Sequence, residues 1–456
     1  MRILFDQASQ DMRNKGNNAL LQSAMERLSS YWPDASLEVI TNAPNLLKMY
    51  FPYAYPVSPH GLYTIRNRFD NYIALMPKSI GWFLFELREE IWHRREMQKH
   101  TQVPQAFGKK TISPVVEDNN IEASTINYGT NSLINAPDQK VLVETISKYD
   151  LYVASGGGYM CDTDWPMLRN VFNRLEVAIN CKIPTVMVGQ GIGPIKDPRV
   201  LARASQILPA VDLILYRNQR YGLPLLLGLG VFPEHIIFTG DDAVEMTYKA
   251  HQKSCGSGIG VSLRVAQYTQ VREKHIDIIR TVLHRAAEAY KVQLISVPIS
   301  SARHESDITY IKKILTGYSR SSIGYRKLDT PLDSIKRVRR CRLMVTGTYH
   351  GAIFALAQGI PVVGVANSDE YFNKLSELAD EFGSGCQVFQ LEDEQLSDKL
   401  RRAIDNAWSS AEIIKPVLLE STVRQINLQK AAYQRIYELS SGRMGTRKDR
   451  TNYATR

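Results

Sequence analysis

The sequence predicts an α/β protein of two Rossmann-like domains facing a central cleft, and three observations predict it. Short apolar runs alternate with helix-forming stretches along most of the chain. The alternation falls into two blocks, divided by the polar, glycine-containing segment "TYKAHQKSCGSG". Residues with chemical character (glycine clusters, arginines, one histidine) recur just after apolar runs. That is the C-terminal edge of a parallel sheet, where open α/β folds bind ligands.

The first domain is expected over residues 1–248 and opens with strand "RILF", a polar loop ending in "NKGNN", helix "ALLQSAMERLSSYW" and strand "SLEVIT". From about 45 to 140 the rhythm breaks, and this stretch reads as an insertion, a lid or partner surface. It holds "MYFPYAYPVSPHGLY", a predicted helix "SIGWFLFELREEIWHRREMQKH" bearing Trp82, Phe83, Phe85 and Trp92, and a polar loop. The order then resumes with "YDLYVASGGGYMCD", "IPTVMVGQGIGPI", helix "RVLARASQILPAV", strand "DLILYRN", helix "YGLPLLLGLGV" and strand "HIIFTGDDAVE". The second domain, residues 256–425, runs from "IGVSLR" through "VQLISVPIS" to "VTGTYHGAIFALAQGIPVVGV". A helical stretch over about 415–438 is expected to pack back onto the first domain. Residues 426–456 hold the end of that helix and a basic, disordered tail.

Composition narrows the class. With 456 residues, 44% hydrophobic and 22% charged, the chain suits a globular protein with sizeable cores. No apolar run approaches the ~20 residues of a bilayer span, and "MRILFDQASQD" turns acidic too soon for a signal peptide. The expected location is cytoplasmic, with room for peripheral contact at the inner membrane face. Five dispersed cysteines (Cys161, Cys181, Cys255, Cys341, Cys386) without a CxxC pair argue against a disulfide framework or zinc site and read as buried thiols. A net charge of +10 fits an anionic partner. No nucleic-acid-binding signature accompanies it, so nucleic acid is not expected.

Four strand ends carry candidate ligand-binding residues. Lys15-Gly16-Asn17-Asn18 combines a glycine turn with a helix start whose N–H groups favour anions, with Asn17 or Asn18 as cap. Ser155-Gly156-Gly157-Gly158 lets backbone approach a ligand closely. Gly189-Gln190-Gly191-Ile192-Gly193-Pro194 is not a dinucleotide fingerprint: its third glycine comes one residue early and proline interrupts the helix start. Arg217 in "LILYRN" and Arg264 in "GVSLR" each close a strand with a fork suited to carboxylate or phosphate, or to a structural salt bridge. His350, at the strand-to-helix corner Thr348-Tyr349-His350-Gly351, can give or take a proton near neutral pH. No G-x-S-x-G elbow or HExxH pair is present.

In order, "GNN", "SGGG", "GQGIGP", "LYRN…LLLGLGV", "TGDDA", "GVSLR" and "TGTYHGAIFALAQGIPVVGV" make a series in which the chain resembles the polysaccharide pyruvyltransferase family. The resemblance implies a GT-B-like fold and transfer of the enolpyruvyl group of phosphoenolpyruvate onto sugar hydroxyls, giving a pyruvate ketal and phosphate. It implies His350 as general acid, Arg217 and Arg264 on the donor's anionic groups, and no cofactor or metal, phosphoenolpyruvate being a co-substrate. The glycines at 156–158 and 189–193 would line the donor or acceptor side, with Asn17, Thr348 and Tyr349 alongside. Lys374 falls near where the family keeps a lysine. Asp241, Asp242 or Asp162 would activate the hydroxyl. The implied partners are a small-molecule donor and a saccharide acceptor, free or lipid-linked.

One position departs: the family corner reads Arg-x-His, and here Thr348 replaces the arginine. A neutral donor is weaker there by roughly 1–2 kcal/mol. Lys374, Arg303 or Arg342 would have to supply the missing charge. Otherwise the chain is a nucleotide-sugar glycosyltransferase with Asp369, Glu370 and Tyr371 as its clamp, or a non-catalytic glycan-binding relative.

Overall fold

Runs such as Leu151–Ala154, Leu213–Tyr216 and Val362–Ala366 are buried at every residue. This is the pattern of strands covered on both faces by helices. The structure is a computed structural model and describes residues 1–7, 10–57, 139–162, 165–302, 305–324 and 329–454. The predicted helix with Trp82, Phe83, Phe85 and Trp92 lies outside the described residues, as does Arg303.

The first block begins with β1 (Arg2–Asp6), α1 (Lys15–Tyr31), β2 (Ser36–Ile40), α2 (Pro44–Tyr50) and β3 (Tyr55–Val57). It continues with α3 (Gln139–Ile146), β4 (Leu151–Ala154), β5 (Gly157–Met160), α4 (Trp165–Asn180), β6 (Thr185–Ile192) and α5 (Pro198–Ile207). β7 (Leu213–Tyr216), α6 (Gln219–Gly228), β8 (Ile236–Phe238) and α7 (Val244–Tyr248) complete it. The second block opens with β9 (Gly258–Ser262), α8 (Glu273–Tyr290), β10 (Leu294–Ser296), α9 (Asp307–Leu315), β11 (Ser321–Ser322) and α10 (Pro331–Val338). It closes with β12 (Cys341–Thr346), α11 (Tyr349–Leu356), β13 (Val362–Ala366), α12 (Asp369–Phe382), β14 (Cys386–Gln390) and α13 (Leu396–Ala454).

Each block makes one parallel sheet. The first runs β3-β2-β1-β4-β6-β7-β8, with β5 paired to β6 off this path. The second runs β11-β10-β9-β12-β13-β14. Both are doubly wound orders, whose chain direction reverses at β1/β4 and at β9/β12. Arg264 follows β9 and His350 follows β12, so both stand at the second switch point. One core lies around Tyr152, Leu168, Phe172 and Ile214 in the first block. Two cores sandwich the second sheet, one around Phe354 and Leu356, the other around Ile279, Leu283 and Ile311.

The structure differs from the sequence reading at several places. Residues 44–57, read as the start of an insertion, instead supply α2 and the edge strand β3, which pairs with β2. Gly157–Met160, read within a ligand loop, forms a short strand on β6. The cap of α1 is Asn14, whose Oδ1 accepts from Gly16 N at 3.0 Å and Asn17 N at 3.2 Å; neither Asn17 nor Asn18 caps it. Helix α13 starts near 396 rather than 415, and its backbone stays helical to Ala454 through the stretch read as a disordered tail. It returns to the first sheet, where Gln429 and Tyr433 bond to residues 239–242. None of the five cysteines is in a disulfide; Cys161, Cys341 and Cys386 are buried, Cys181 and Cys255 half-buried. Among the described residues no helix is long and apolar enough to cross a membrane.

Candidate active site

The corner after β12 is built on hydroxyls. Thr348 N–H donates to Thr346 Oγ1 at 2.9 Å, and the Thr348 hydroxyl bonds Ser262 Oγ at 2.8 Å and Thr346 Oγ1 at 3.0 Å. Thr346 and Ser262 face each other because β12 and β9 pair in that register. The hydroxyl of Thr348, expected to reach a ligand, is therefore turned into the corner, which it ties to β9. The next residue, Tyr349, places its ring under the Arg217 guanidinium, with Cζ 4.4 Å from the ring centroid.

His350 is buried, and its Nε2 has no hydrogen-bond partner. That nitrogen stands 3.6 Å from Asp241 Oδ2. Burial pulls the imidazole down to about 4; Asp241 opposes this, while the positive charges of Arg217 and Arg264 reinforce it. The ring abuts Gly16: a side-chain carbon there would fall 2.0 Å from Nδ1 and 2.2 Å from Cγ. The glycine read as a turn former thus makes room for the histidine.

Asp241 links the two blocks. Its Oδ2 accepts from Arg217 Nη1 at 2.7 Å and faces His350, while Oδ1 accepts from Ala243 N–H at 2.9 Å. Arg217 is fixed by its own loop: its N–H donates to Gln190 O, and Asn218 bonds both the N–H and the carbonyl of Ile192. Arg217 Nη2 lies 3.7 Å from where a Cβ on Gly158 would be, and Lys374 Nζ lies 3.6 Å from the same point. Two cations from opposite sheets therefore flank one bare glycine. Gly191 is bare for the same reason, since a Cβ there would come within 3.1 Å of Arg217 Nη2. Lys374 also pairs with Glu370 one turn away. Burial lowers its pKa, but Tyr371, Glu370 and Cys161 outweigh that, and it stands above the ordinary lysine value.

Other residues singled out in the sequence are engaged elsewhere. Arg264, expected on the donor, gives Nε and Nη2 to Asp307 at 2.8 and 3.2 Å, with Glu305 3.8 Å from Nη1. Asp307 also accepts from Ile299 N–H and Ser300 N–H, so this pair organises the loop after β10. The N–H groups at the start of α1, expected to face an anion, are satisfied internally: Lys15 donates to Ile299 O, Gly16 and Asn17 to Asn14 Oδ1, and Asn18 to Asn14 O. Gly156 packs on backbone, its would-be Cβ 2.5 Å from Gly189 O, and Gly157 pairs with Gln190. Asp162 accepts from Lys196 N and Asp197 N at an exposed turn. Asp242 accepts from Tyr433 OH at 2.8 Å, and burial pushes it up to about 6. Arg342 donates to Trp408 O and faces Glu412, away from the corner. Lys15, named within the first candidate stretch without a role of its own, is buried, with Nζ 3.4 Å from Pro298 O and a pKa lowered to about 8 by burial, which Asp329 and Asp307 oppose. Among the described residues no group of three or more His, Cys, Asp and Glu side chains is placed to hold a metal ion.

The sequence pattern described as polysaccharide pyruvyl transferase matches residues 14–369, which contain Gly16, Gly158, Arg217, Asp241 and His350 but not Lys374. The chain belongs to the polysaccharide pyruvyl transferase family. It is a member of a transferase family with a GT-B fold, as the solved structures similar to it show. One is a UDP-N-acetylglucosamine 2-epimerase assigned in Listeria monocytogenes (11% identity, 95% of this chain and 97% of that one, TM-score 0.52). Another is UDP-GlcNAc 2-epimerase from Methanocaldococcus jannaschii (12%, 89% and 92%, TM-score 0.51). A third is Alr3699/HepE from Anabaena in complex with UDP (13%, 97% and 100%, TM-score 0.51). At such identities the likeness concerns fold alone. No curated protein matches this family member in sequence.

Proposed function

We propose that this family member transfers the enolpyruvyl group of phosphoenolpyruvate to two hydroxyls of a saccharide, forming a pyruvate ketal and releasing phosphate. One observation carries the reading: Arg217 and Lys374 flank the open side of Gly158, beside the His350–Asp241 pair. The donor is a small molecule with a carboxylate and a phosphate, and two cations converging beside Gly158 suit one of its anionic groups. Lys374 supplies the charge that the family places at Thr348.

His350 is the acid. Burial holds it neutral. A bound anion next to it favours the imidazolium, so donor binding charges the acid that the donor needs. Its proton goes to the methylene carbon, and C2 gains oxocarbenium character. A saccharide hydroxyl then adds to C2 and gives up its proton, which returns to the His350–Asp241 pair. A second hydroxyl replaces phosphate, which leaves with the C–O bond pair and takes up that hydroxyl's proton. Asp241 suits the base better than Asp242 or Asp162, which are held by Tyr433 and by the 196–197 turn.

A nucleotide-sugar donor is the rival, since HepE was solved with UDP. The clamp it would use is engaged here: Glu370 pairs with Lys374, and Tyr371 stacks on Tyr268 with centroids 5.6 Å apart. Calorimetry with phosphoenolpyruvate on wild type and Arg217→Ala, followed by phosphate release with saccharide acceptors, tests the reading. Binding lost in Arg217→Ala, and turnover lost in His350→Asn, are expected. Binding of UDP with no response to phosphoenolpyruvate would overturn it.

A further inference from the structure

Asp241 sits in the loop after β8, and that loop is gripped from outside by three side chains on one stripe of α13. Gln429, fully buried, donates its Nε2 to Asp241 O at 2.7 Å and to Thr239 O at 3.2 Å. Its Oε1 accepts from Arg27 Nη2 at 2.5 Å, so both ends of the amide are used. One turn later Tyr433, also fully buried, donates to Asp242 Oδ2. One turn earlier Gln425 lies on Gly240, where a Cβ would come 2.1 Å from its Oε1 and φ is +68°. The spacing 425, 429, 433 places all three on one helix face.

The Asp241 side chain cannot swing independently of this backbone, because Oδ1 is held by Ala243 N–H of its own turn. The position of Oδ2 between Arg217 Nη1 and His350 Nε2 therefore follows the loop, and the loop follows α13. The 3.6 Å gap to His350 lies just outside hydrogen-bonding distance, so displacement of a few tenths of an ångström decides whether the two groups couple.

We propose that Gln429 and Tyr433 are positioning residues for the transfer reaction, fixing Asp241 between Arg217 and His350. This rests on the pyruvyl-transfer reading for its kinetic consequence, and on geometry alone for its effect on His350. The charged groups acting on that ring are Asp241, which favours its protonation, and Arg217 and Arg264, which oppose it.

The test follows the His350 resonance through a pH titration of histidine-labelled protein, identified by its loss in His350→Asn. In Gln429→Met the amide contacts disappear at nearly constant volume. His350 is expected to protonate at lower pH than in wild type, Asp241→Asn to shift it the same way, and the double variant to go no further. With phosphoenolpyruvate and an acceptor, kcat is expected to fall ~10–100-fold with KM within about twofold. Tyr433→Phe removes one oxygen and gives a smaller shift of the same sign, which keeps the test alive should Gln429→Met fail to fold. An unchanged His350 titration in folded Gln429→Met or Tyr433→Phe overturns the proposal. Absence of wild-type turnover would instead strike the pyruvyl-transfer reading, leaving the titration to decide the positioning role.

Discussion

Gly16→Ala is the sharpest probe of the site, because it adds one methyl group and no charge. The new Cβ would lie 2.0 Å from His350 Nδ1, 2.2 Å from Cγ and 2.7 Å from Cε1, against 3.4 Å at ordinary contact, so the ring must retreat by roughly 1.2–1.4 Å. Cγ sits at the base of the imidazole, so a swing of the ring tip does not relieve the clash. The ring is also hemmed by Tyr349, edge-on at 5.3 Å between centroids, and by Phe354 at 6.1 Å. A displacement of ~1 Å in a catalytic group costs on the order of 10²-fold in rate. The backbone raises no objection: Gly16 lies in the first turn of α1 with no positive φ, and alanine gains up to ~1 kcal/mol over glycine in a helix. Forced repacking is expected to cost ~1–3 kcal/mol of stability, partly offset by helix propensity, while kcat for phosphate release in the folded fraction drops about 100-fold. Wild-type kcat in folded Gly16→Ala would refute the placement of His350 in the reaction.

Asp241→Asn removes the charge between Arg217 and His350; kcat should fall by ~10² or more. The buried arginine left unpaired should cost ~3–5 kcal/mol in denaturant unfolding. Lys374→Met is expected to weaken phosphoenolpyruvate binding by about 1.5–3 kcal/mol in calorimetry, roughly 10-fold or more, with a smaller effect on kcat. Arg264→Met should do the reverse: its partner Asp307 is stranded, so stability falls by ~3–5 kcal/mol while donor affinity in the folded fraction holds. For pH, the acid works only when protonated, so activity should fall as pH rises through its pKa. Burial sets that pKa at about 4, and an anionic donor would raise it. The descending limb of kcat, which reports the complex, should therefore lie at higher pH than that of kcat/KM.

What the sequence made legible was local. The β12–α11 corner could be read because an apolar strand, a glycine and a run of helix formers are adjacent in the chain. Arg217 could be read because it closes a strand. The rest depended on pairings that sequence distance hides. Arg264 looks the same as Arg217 until Asp307, 43 residues on, takes its fork. Thr348 looks like a ligand donor until the β9–β12 register brings Ser262 within 2.8 Å. Asp241 was one of three equivalent carboxylates until the fold placed it between an arginine 24 residues before it and a histidine of the other sheet. Gly16 reads as a turn former from sequence, while in the fold its lack of a side chain is what leaves room for the His350 ring.

The residues of the proposed site are divided between the two blocks. The first block brings Arg217, Asp241, Gly158 and Gly16; the second brings His350 and Lys374. Two ties that carry no chemistry of their own help to register them, alongside cross-block contacts such as the Arg220–Asp380 ion pair. At one side, Lys15 N–H donates to Ile299 O and Asn14 bridges to Ser300, fixing the start of α1 to the loop after β10. At the other, α13 leaves the second sheet and clasps residues 239–242 of the first. Gly16 stands two residues beyond Asn14 on the first tie, and Asp241 stands on the second, so the ties meet at opposite edges of the same imidazole. Loosening either one changes a distance at His350 before it changes any charge. On the proposed reading, the cation missing at Thr348 comes from Lys374 of α12, and its placement beside Gly158 rests on the same registration that brings Asp241 to His350.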